Sequence, residues 1–243
     1  MNPFALITGS SGDIGVALAE RLAIEGYSLY LHYNRNEKAA GELKERLEWT
    51  VGEGQQFEMV RADFARPDGV NHLLEQIHHP IDVIVHNSGA SYVGLMTDMT
   101  DDEVQRMVQL HVNSPFLLTK YLLPEMVSKK KGKIIVVSSI WGLVGASTEV
   151  LYSTVKGALN SFVKALAKET APSGISVNGI APGVVSTKML HHLSEQDKIE
   201  LAEEIPMGRF GEPEEIAELA AFLISDKASY INGEIVSING AWY

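Results

Sequence analysis

The chain has no cysteine in its 243 residues, which excludes disulfides and thiolate metal sites and is consistent with a reducing compartment. Positive charge is also scarce: 20 Lys and Arg against 31 Asp and Glu give a formal charge of −11. That balance argues against broad affinity for nucleic acid or an anionic membrane. The apolar stretch Ile134 to Thr148 is too short to span a bilayer and is broken by Ser138, Ser139, Gly142 and Gly145. Met1-Asn2-Pro3 runs straight into a strand pattern, leaving no room for a secretory signal, so a cytoplasmic protein is expected. No linker or low-complexity segment interrupts the chain, and residues 1–243 are expected to form a single domain.

What is present is an alternation of strand and helix patterns. Apolar runs at Phe4–Ile7, Tyr27–Tyr33, Phe57–Arg61, Ile81–Val85, Lys133–Val137, Ser176–Ile180 and Glu234–Ile238 predict seven strands. Being near-continuous rather than alternating, they suit a sheet covered on both faces. The fold expected is α/β, a doubly wound Rossmann-type domain with a mostly parallel seven-stranded sheet between helical layers. Thr100-Asp101-Asp102-Glu103 reads as a capping box, and Pro213-Glu214-Glu215 as a helix opening.

The most informative residues are Ser139, Tyr152 and Lys156. A tyrosine and a lysine four apart on a helix share one face, so the ammonium is expected beneath the phenol, lowering its pKa from about 10 toward neutrality. Such a phenol is a proton donor for reducing a carbonyl. Ser138 competes with Ser139, but strand alternation and the spacing to Tyr152 favour Ser139. The pair alone carries little weight, since chance supplies roughly 0.4 such spacings. It has company: Thr8-Gly9-Ser10-Ser11-Gly12-Asp13-Ile14-Gly15 follows the first apolar run and opens a helical pattern. That order is strand, glycine turn, helix, the arrangement that holds a pyrophosphate on a helix N-terminus.

With these motifs, from Phe4 to the C-terminus, the chain resembles the short-chain dehydrogenase/reductase family. The glycine turn is similar to the family's T-G-x-x-x-G-x-G, His86-Asn87-Ser88-Gly89 to its N-N-A-G, and Pro182-Gly183 to its P-G motif. The resemblance implies a catalytic tetrad of Asn113, Ser139, Tyr152 and Lys156. It implies a nicotinamide cofactor held by Thr8, Gly9, Ser11, Gly12, Asp13, Ile14, Gly15, Asn34, Arg35, Asp63, Phe64, Asn87, Ser88, Gly89, Pro182, Gly183, Val185 and Thr187, with Tyr152 and Lys156 at the nicotinamide end. Asn34 stands where NAD-type members carry aspartate, and Arg35 offers a guanidinium to a 2′-phosphate, so NADPH is expected rather than NAD. Asp13 departs from the family's glycine and is expected to cap the helix while adding negative charge beside the phosphates. Some members bind NADP(H) only as sensors with the tetrad broken, whereas here its four positions are filled.

Two branches of the family resemble the chain most. Tyr230-Ile231-Asn232-Gly233 and the ending Val236–Gly240 are similar to 3-oxoacyl-acyl-carrier-protein reductases. Lys130 matches one carrier-reading basic position of that branch, while Ser173 replaces an arginine at another. Leu31-His32-Tyr33, Ser139-Ile140-Trp141-Gly142, Glu149-Val150-Leu151-Tyr152 and Gly240-Ala241-Trp242-Tyr243 resemble the elongation factor P 5-aminopentanone reductase. There, Trp141 and Glu149 would receive an ammonium-bearing ketone. Lys129, Lys130, Lys131 and Lys133 read as a solvated helix C-terminus or, alternatively, as a docking patch for an acidic partner. His191-His192 lies without a metal-ligand set, so no metal is expected, and it falls in an irregular substrate lid at about 186–207. The resemblance also implies a homodimer or homotetramer, built on the long helices bearing Asn113 and Tyr152.

Overall fold

Strands that are apolar along their whole length fold into the interior of a three-layer arrangement. The computed structural model describes residues 2–51, 54–190 and 193–243. Its strands are β1 (Phe4–Ile7), β2 (Ser28–Tyr33), β3 (Phe57–Arg61), β4 (Ile81–His86), β5 (Gly132–Val137), β6 (Ile175–Pro182) and β7 (Ile235–Ile238). They form one sheet in the order β3-β2-β1-β4-β5-β6-β7, and every pairing is parallel. The doubly wound sheet expected from the sequence is therefore observed.

Helices fill the crossovers: α1 (Asp13–Ile24), α2 (Glu37–Val51), α3 (Gly69–Leu74), α4 (Asp101–Val108), α5 (Ser114–Lys129), α6 (Trp141–Val144), α7 (Val150–Thr170), α8 (Glu195–Glu204) and α9 (Pro213–Ile224). A π-helical turn, Gln109–Asn113, joins α4 to α5. Side-chain alternation along the strands splits the core in two. Ala5, Ile7, Leu29 and Leu31 pack with Leu18 and Leu22 of α1, Leu43 of α2 and Ile216 of α9. Phe4, Leu6, Ile134 and Val136 pack on the opposite face with Leu118 of α5 and Leu159 and Val163 of α7.

The Thr100–Glu103 capping box forms as expected, and Pro213 opens α9 behind a reciprocal Glu212–Glu215 cap. The segment 186–207 differs from its expectation as irregular. It contains a 3₁₀ turn at Lys188–Leu190 and helix α8, whose start is a Ser194–Asp197 capping box in which aspartate replaces the usual glutamate. His191 and His192 lie outside the described residues. The lysine run closes α5: Lys130 adopts a left-handed φ of 51°, and Lys129 lies 3.4 Å from Glu125 and 3.7 Å from Asp82. Among the described residues no helix is long and apolar enough to cross a membrane.

Strand order reverses between β1 and β4, and a cleft opens beyond the C-terminal ends of such strands. Helix α1 reaches that cleft only because Gly15 lets it approach the glycine turn. A Cβ there would lie 2.1 Å from the Gly9 carbonyl oxygen. Gly15→Ala is expected to cost about 3 kcal/mol of stability and to weaken dinucleotide binding. Chemical denaturation and cofactor fluorescence titration check this, and a variant as stable as the parent would contradict the close approach.

Candidate active site

The turn after β1 is held from below by β4 and β2. The Thr8 hydroxyl accepts from the backbone N–H of Asn87 and Ser88 at 2.9 and 3.0 Å and donates to the Val85 carbonyl at 3.3 Å. The Asn87 amide donates to the carbonyls of Thr8 and Gly9, both at 3.1 Å. His32, quoted above within Leu31-His32-Tyr33 but given no role there, completes the support. Its Nδ1 accepts from the Gly9 N–H at 3.0 Å, which makes Nε2 the donor to the Ala62 carbonyl at 3.1 Å. The ring stacks on Phe64 at 4.3 Å, and burial pushes the His32 pKa down to about 4, so it stays neutral. A histidine inside an otherwise apolar strand was the available sign, because a buried imidazole needs partners for both nitrogens.

Gly12 is the N-cap of α1 and makes no side-chain cap. Asp13 does not cap the helix as expected; its carboxylate instead accepts from the Lys188 N–H at 2.6 Å and pairs with Lys188 Nζ at 3.5 Å. A cavity of about 320 Å³ opens beside it, lined by Asp13, Ser186, Thr187, Lys188, Leu190, Lys198 and Phe210. Ser11 stands at the rim and Ile14 packs inward on the core. Asn34 and the exposed Arg35 follow β2, and no ion pair engages Arg35 among the described residues. Asp63 is turned onto its own loop, accepting from the Ala65 N–H at 3.0 Å. Pro182 ends β6, Gly183 donates to the Ile238 carbonyl at 2.9 Å, and Val185 is bridged to Gly211. A helix N-terminus with an unoccupied cap, glycines at the turn and an unpaired arginine past β2 fit a phosphate-bearing dinucleotide, with Asp13 as the adverse charge.

Helix α7 carries Tyr152 and Lys156 on one face, with Lys156 Nζ 5.5 Å from the Tyr152 ring centroid. Lys156 is 4% exposed and donates to the Val137 carbonyl at 2.9 Å, at the very end of β5. Burial lowers its pKa to about 8. The expected depression of the Tyr152 pKa is not seen. Burial raises it to about 12, Glu149 adds to the rise, and only the Ser139 hydrogen bond opposes it. The physical reason is enclosure, which would strip a phenolate of its water, while the Lys156 ammonium is engaged by the Val137 carbonyl. Ser139 and Ser138 separate as alternation requires: Ser139 meets Tyr152, whereas the Ser138 hydroxyl is directed at the Lys156 carbonyl at 3.3 Å.

Asn113 requires a correction. It is exposed on the outer side of the helical rod, with its amide donating to Gln109 at 3.0 Å, and it does not join the other three residues. Residues two apart face roughly opposite sides of a helix, and the buried, inward position belongs to His111 instead. His111 is 1% exposed and lies edge-on to the Tyr152 ring with centroids 6.0 Å apart. The inward stripe Met107, His111, Ser114, Leu118 has helical spacing that was present in the sequence. Trp141 and Glu149 do come together: they share a hydrogen bond, and burial raises the Glu149 pKa. Trp242 and Tyr243 join them, each with its ring 5.3 Å from Trp141. Lys130 and Ser173 lie at the N-terminal ends of β5 and β6, the opposite edge of the sheet from Tyr152, so within one chain they do not border the site. Among the described residues, no group of three or more His, Asp or Glu is arranged to hold a metal ion.

The comparisons with known proteins bear on the family and the fold. The family described as Enoyl-(Acyl carrier protein) reductase matches residues 9–241. The chain is 55% identical over 243 residues, the whole of both chains, to "Uncharacterized oxidoreductase YmfI" of Bacillus subtilis strain 168. It is 35% identical to "3-oxoacyl-[acyl-carrier-protein] reductase FabG" of Aquifex aeolicus strain VF5, covering 98% of this chain and 96% of that one. Among solved structures, angucycline C-6 ketoreductase LanV with bound NADP superposes with a TM-score of 0.90 at 28% identity, covering 99% of this chain and 95% of that one. The fold and site define a dinucleotide-binding oxidoreductase. The chain belongs to the short-chain dehydrogenase/reductase family.

Three buried histidines give this protein an acid limit. The pKa values of His32, His86 and His111 fall to about 4, 3 and 3, against 6.5 in an unfolded chain, with burial the first cause in each. A group whose folded pKa is depressed stabilises fully above its unfolded pKa and loses that contribution as pH falls toward the folded one. Denaturant midpoints should therefore hold steady above pH 6.5 and fall between 6.5 and 4. Constant midpoints down to pH 4 would contradict neutral burial of these rings.

Proposed function

We propose that this protein is an NADPH-dependent reductase that converts a ketone to a secondary alcohol. The observation that carries the reading is the meeting of Ser139, Tyr152 and Lys156 at the strand edge beside the glycine turn. NADPH, when bound, supplies the hydride. The first-turn N–H groups of α1 suit its pyrophosphate, with Thr8 to Gly15 around them. Asn34 and Arg35 suit the 2′-phosphorylated ribose, and Asp63 and Phe64 the adenine. Asn87 to Gly89, Pro182, Gly183, Val185 and Thr187 line the nicotinamide end. NADP bound to the similar LanV supports this choice over NAD.

In this reading Tyr152 keeps its proton through the physiological range, as a donor must, and delivers it to the ketone oxygen. Ser139 hydrogen-bonds the same oxygen as negative charge builds on it. Lys156 holds its ammonium over the Tyr152 ring. Turned from the Val137 carbonyl toward the phenolic oxygen, its ammonium would favour the phenolate and strengthen the acid. The segment 186–207 closes over the substrate as a lid, and Asp13 must yield Lys188 for it to move.

The substrate reading favoured by the reductase relatives is a 3-oxoacyl thioester on a carrier protein. A second reading, a ketone bearing an amine as on modified elongation factor P, is supported by the Trp141–Glu149 pair and the flanking Trp242 and Tyr243. Three aromatic faces and a carboxylate are the surroundings an ammonium prefers. Self-association as a dimer or tetramer is supported by Phe116 and Tyr121 on α5, 56% and 51% exposed. A cytoplasmic setting accords with the absence of cysteine.

Tyr152→Phe should abolish ketone reduction, by at least about 1000-fold, while NADPH binding stays near the parent value. Reduction at the parent rate would remove Tyr152 as the acid. Glu149→Gln should slow turnover of an aminated ketone far more than that of a neutral acetoacetyl thioester. Equal losses on both would remove the ammonium reading.

A further inference from the structure

The glycine turn from Thr8 to Gly15 has a single charged side chain, and its charge is negative. Asp13 is the first residue of α1, so a diphosphate held there would meet a carboxylate where the helix offers positive partial charge. The compensating cation comes from 175 residues further along the chain. Lys188 places its Nζ 3.5 Å from one Asp13 oxygen and donates its backbone N–H to the other at 2.6 Å.

The two partners are unequally held. The Asp13 side chain is 26% exposed and sits on a packed helix, whereas that of Lys188 is 72% exposed on a 3₁₀ turn. A surface ion pair of this kind is weak, and the four-carbon stem of a lysine lets its ammonium turn to another anion. Both residues line the cavity of about 320 Å³ with Ser186, Thr187 and Lys198. Two ammoniums and two hydroxyls thus face one carboxylate, a balance that favours an anionic ligand. Lys198 is engaged by Glu195 at 2.7 Å and is 28% exposed, which leaves Lys188 as the cation better able to turn. A second cavity of about 430 Å³ shares Asp13, Ser186 and Lys188 with the first, but Glu42, Glu212 and Glu214 also line it. An anion is therefore directed to the first cavity.

We propose that Lys188 is a cofactor-binding residue that pairs with the diphosphate of NADPH, and that Asp13 competes with the diphosphate for its ammonium. This rests on NADPH being the cofactor and on the glycine turn being its diphosphate site. Positive charge for the phosphates is then supplied by the 186–207 segment, not by the turn itself. Asp13 sets the affinity by holding Lys188 in place and by opposing the phosphates with its own charge.

Calorimetric titration of the full chain tests this without reference to turnover. Lys188→Met should weaken binding of NADPH and of 2′-phospho-ADP-ribose about tenfold each, and that of 2′,5′-ADP, which has no diphosphate, by less than about twofold. Asp13→Asn, whose amide oxygen can still accept from the Lys188 N–H, should tighten NADPH about fivefold. In that background Lys188→Met should cost more than in the parent, because the lysine no longer abandons a charged partner. Lys198→Met removes the same charge from the same cavity and should change affinity by less than about twofold. Unchanged NADPH affinity in Lys188→Met, an equal loss in Lys198→Met, an equal loss for 2′,5′-ADP, or weaker binding in Asp13→Asn would each overturn the proposal. A measurement on the unmodified protein does not depend on any variant folding. The ¹³Cε resonance of Lys188 should shift on saturation with 2′-phospho-ADP-ribose and stay in place with 2′,5′-ADP, and a resonance unmoved by both would overturn it. If the parent bound neither NADPH nor 2′-phospho-ADP-ribose, the cofactor reading would fail and this assignment with it. If the parent bound NADPH and only the Lys188 results failed, that reading would stand without Lys188.

Discussion

A buried ammonium organises this site. Lys156 lies in the interior of the sheet-facing side of α7, where an unpaired charge would be costly, and the Val137 carbonyl at the last residue of β5 takes one of its three protons. That one bond ties α7 to the strand edge from which Ser139 projects. It also fixes the electrostatics: the cation faces the Tyr152 ring, and burial lowers the lysine pKa toward the range in which the protein works. The phenol is kept protonated by its own burial.

Around this bond the fold supplies rigidity from neutral polar groups. Thr8, His32, Asn87 and Ser88 form a hydrogen-bonded floor that joins three strands under the glycine turn. The backbone N–H groups of the turn are thereby held at fixed positions, with little side-chain charge beside them. Asp13 is the exception, a carboxylate at a position where an anion would bind. Its bond to Lys188 connects the cofactor turn to the 186–207 segment and couples the two electrostatically.

The strands and the sheet were legible in the sequence because buried parallel strands leave apolar runs, and the runs fell near the observed ends. Ser139, Tyr152 and Lys156 were legible because their spacing reflects a strand end and one helical turn. What sequence spacing could not deliver was orientation at a two-residue scale. Asn113 matches a motif by residue type, yet helical geometry turns it to solvent and His111 inward, and the inward stripe was the better guide. The sign of the Tyr152 shift was likewise hidden, since it depends on how deeply the phenol is enclosed by residues distant in the chain. His32 went unseen because its partners, Gly9 and Ala62, lie on neighbouring strand ends far away in the chain. The Trp141–Glu149 pairing was readable in part, but its completion by Trp242 and Tyr243 depends on the C-terminus folding back over α6.

The account depends on a charged lysine enclosed beneath the phenol, and titration of the Lys156 side chain by NMR of the selectively labelled protein tests it most directly. An apparent pKa of about 8 is the predicted result. A value at or above the 10.5 of a solvated lysine would contradict the enclosure, and with it the arrangement of Ser139, Tyr152 and His111 around a buried cation.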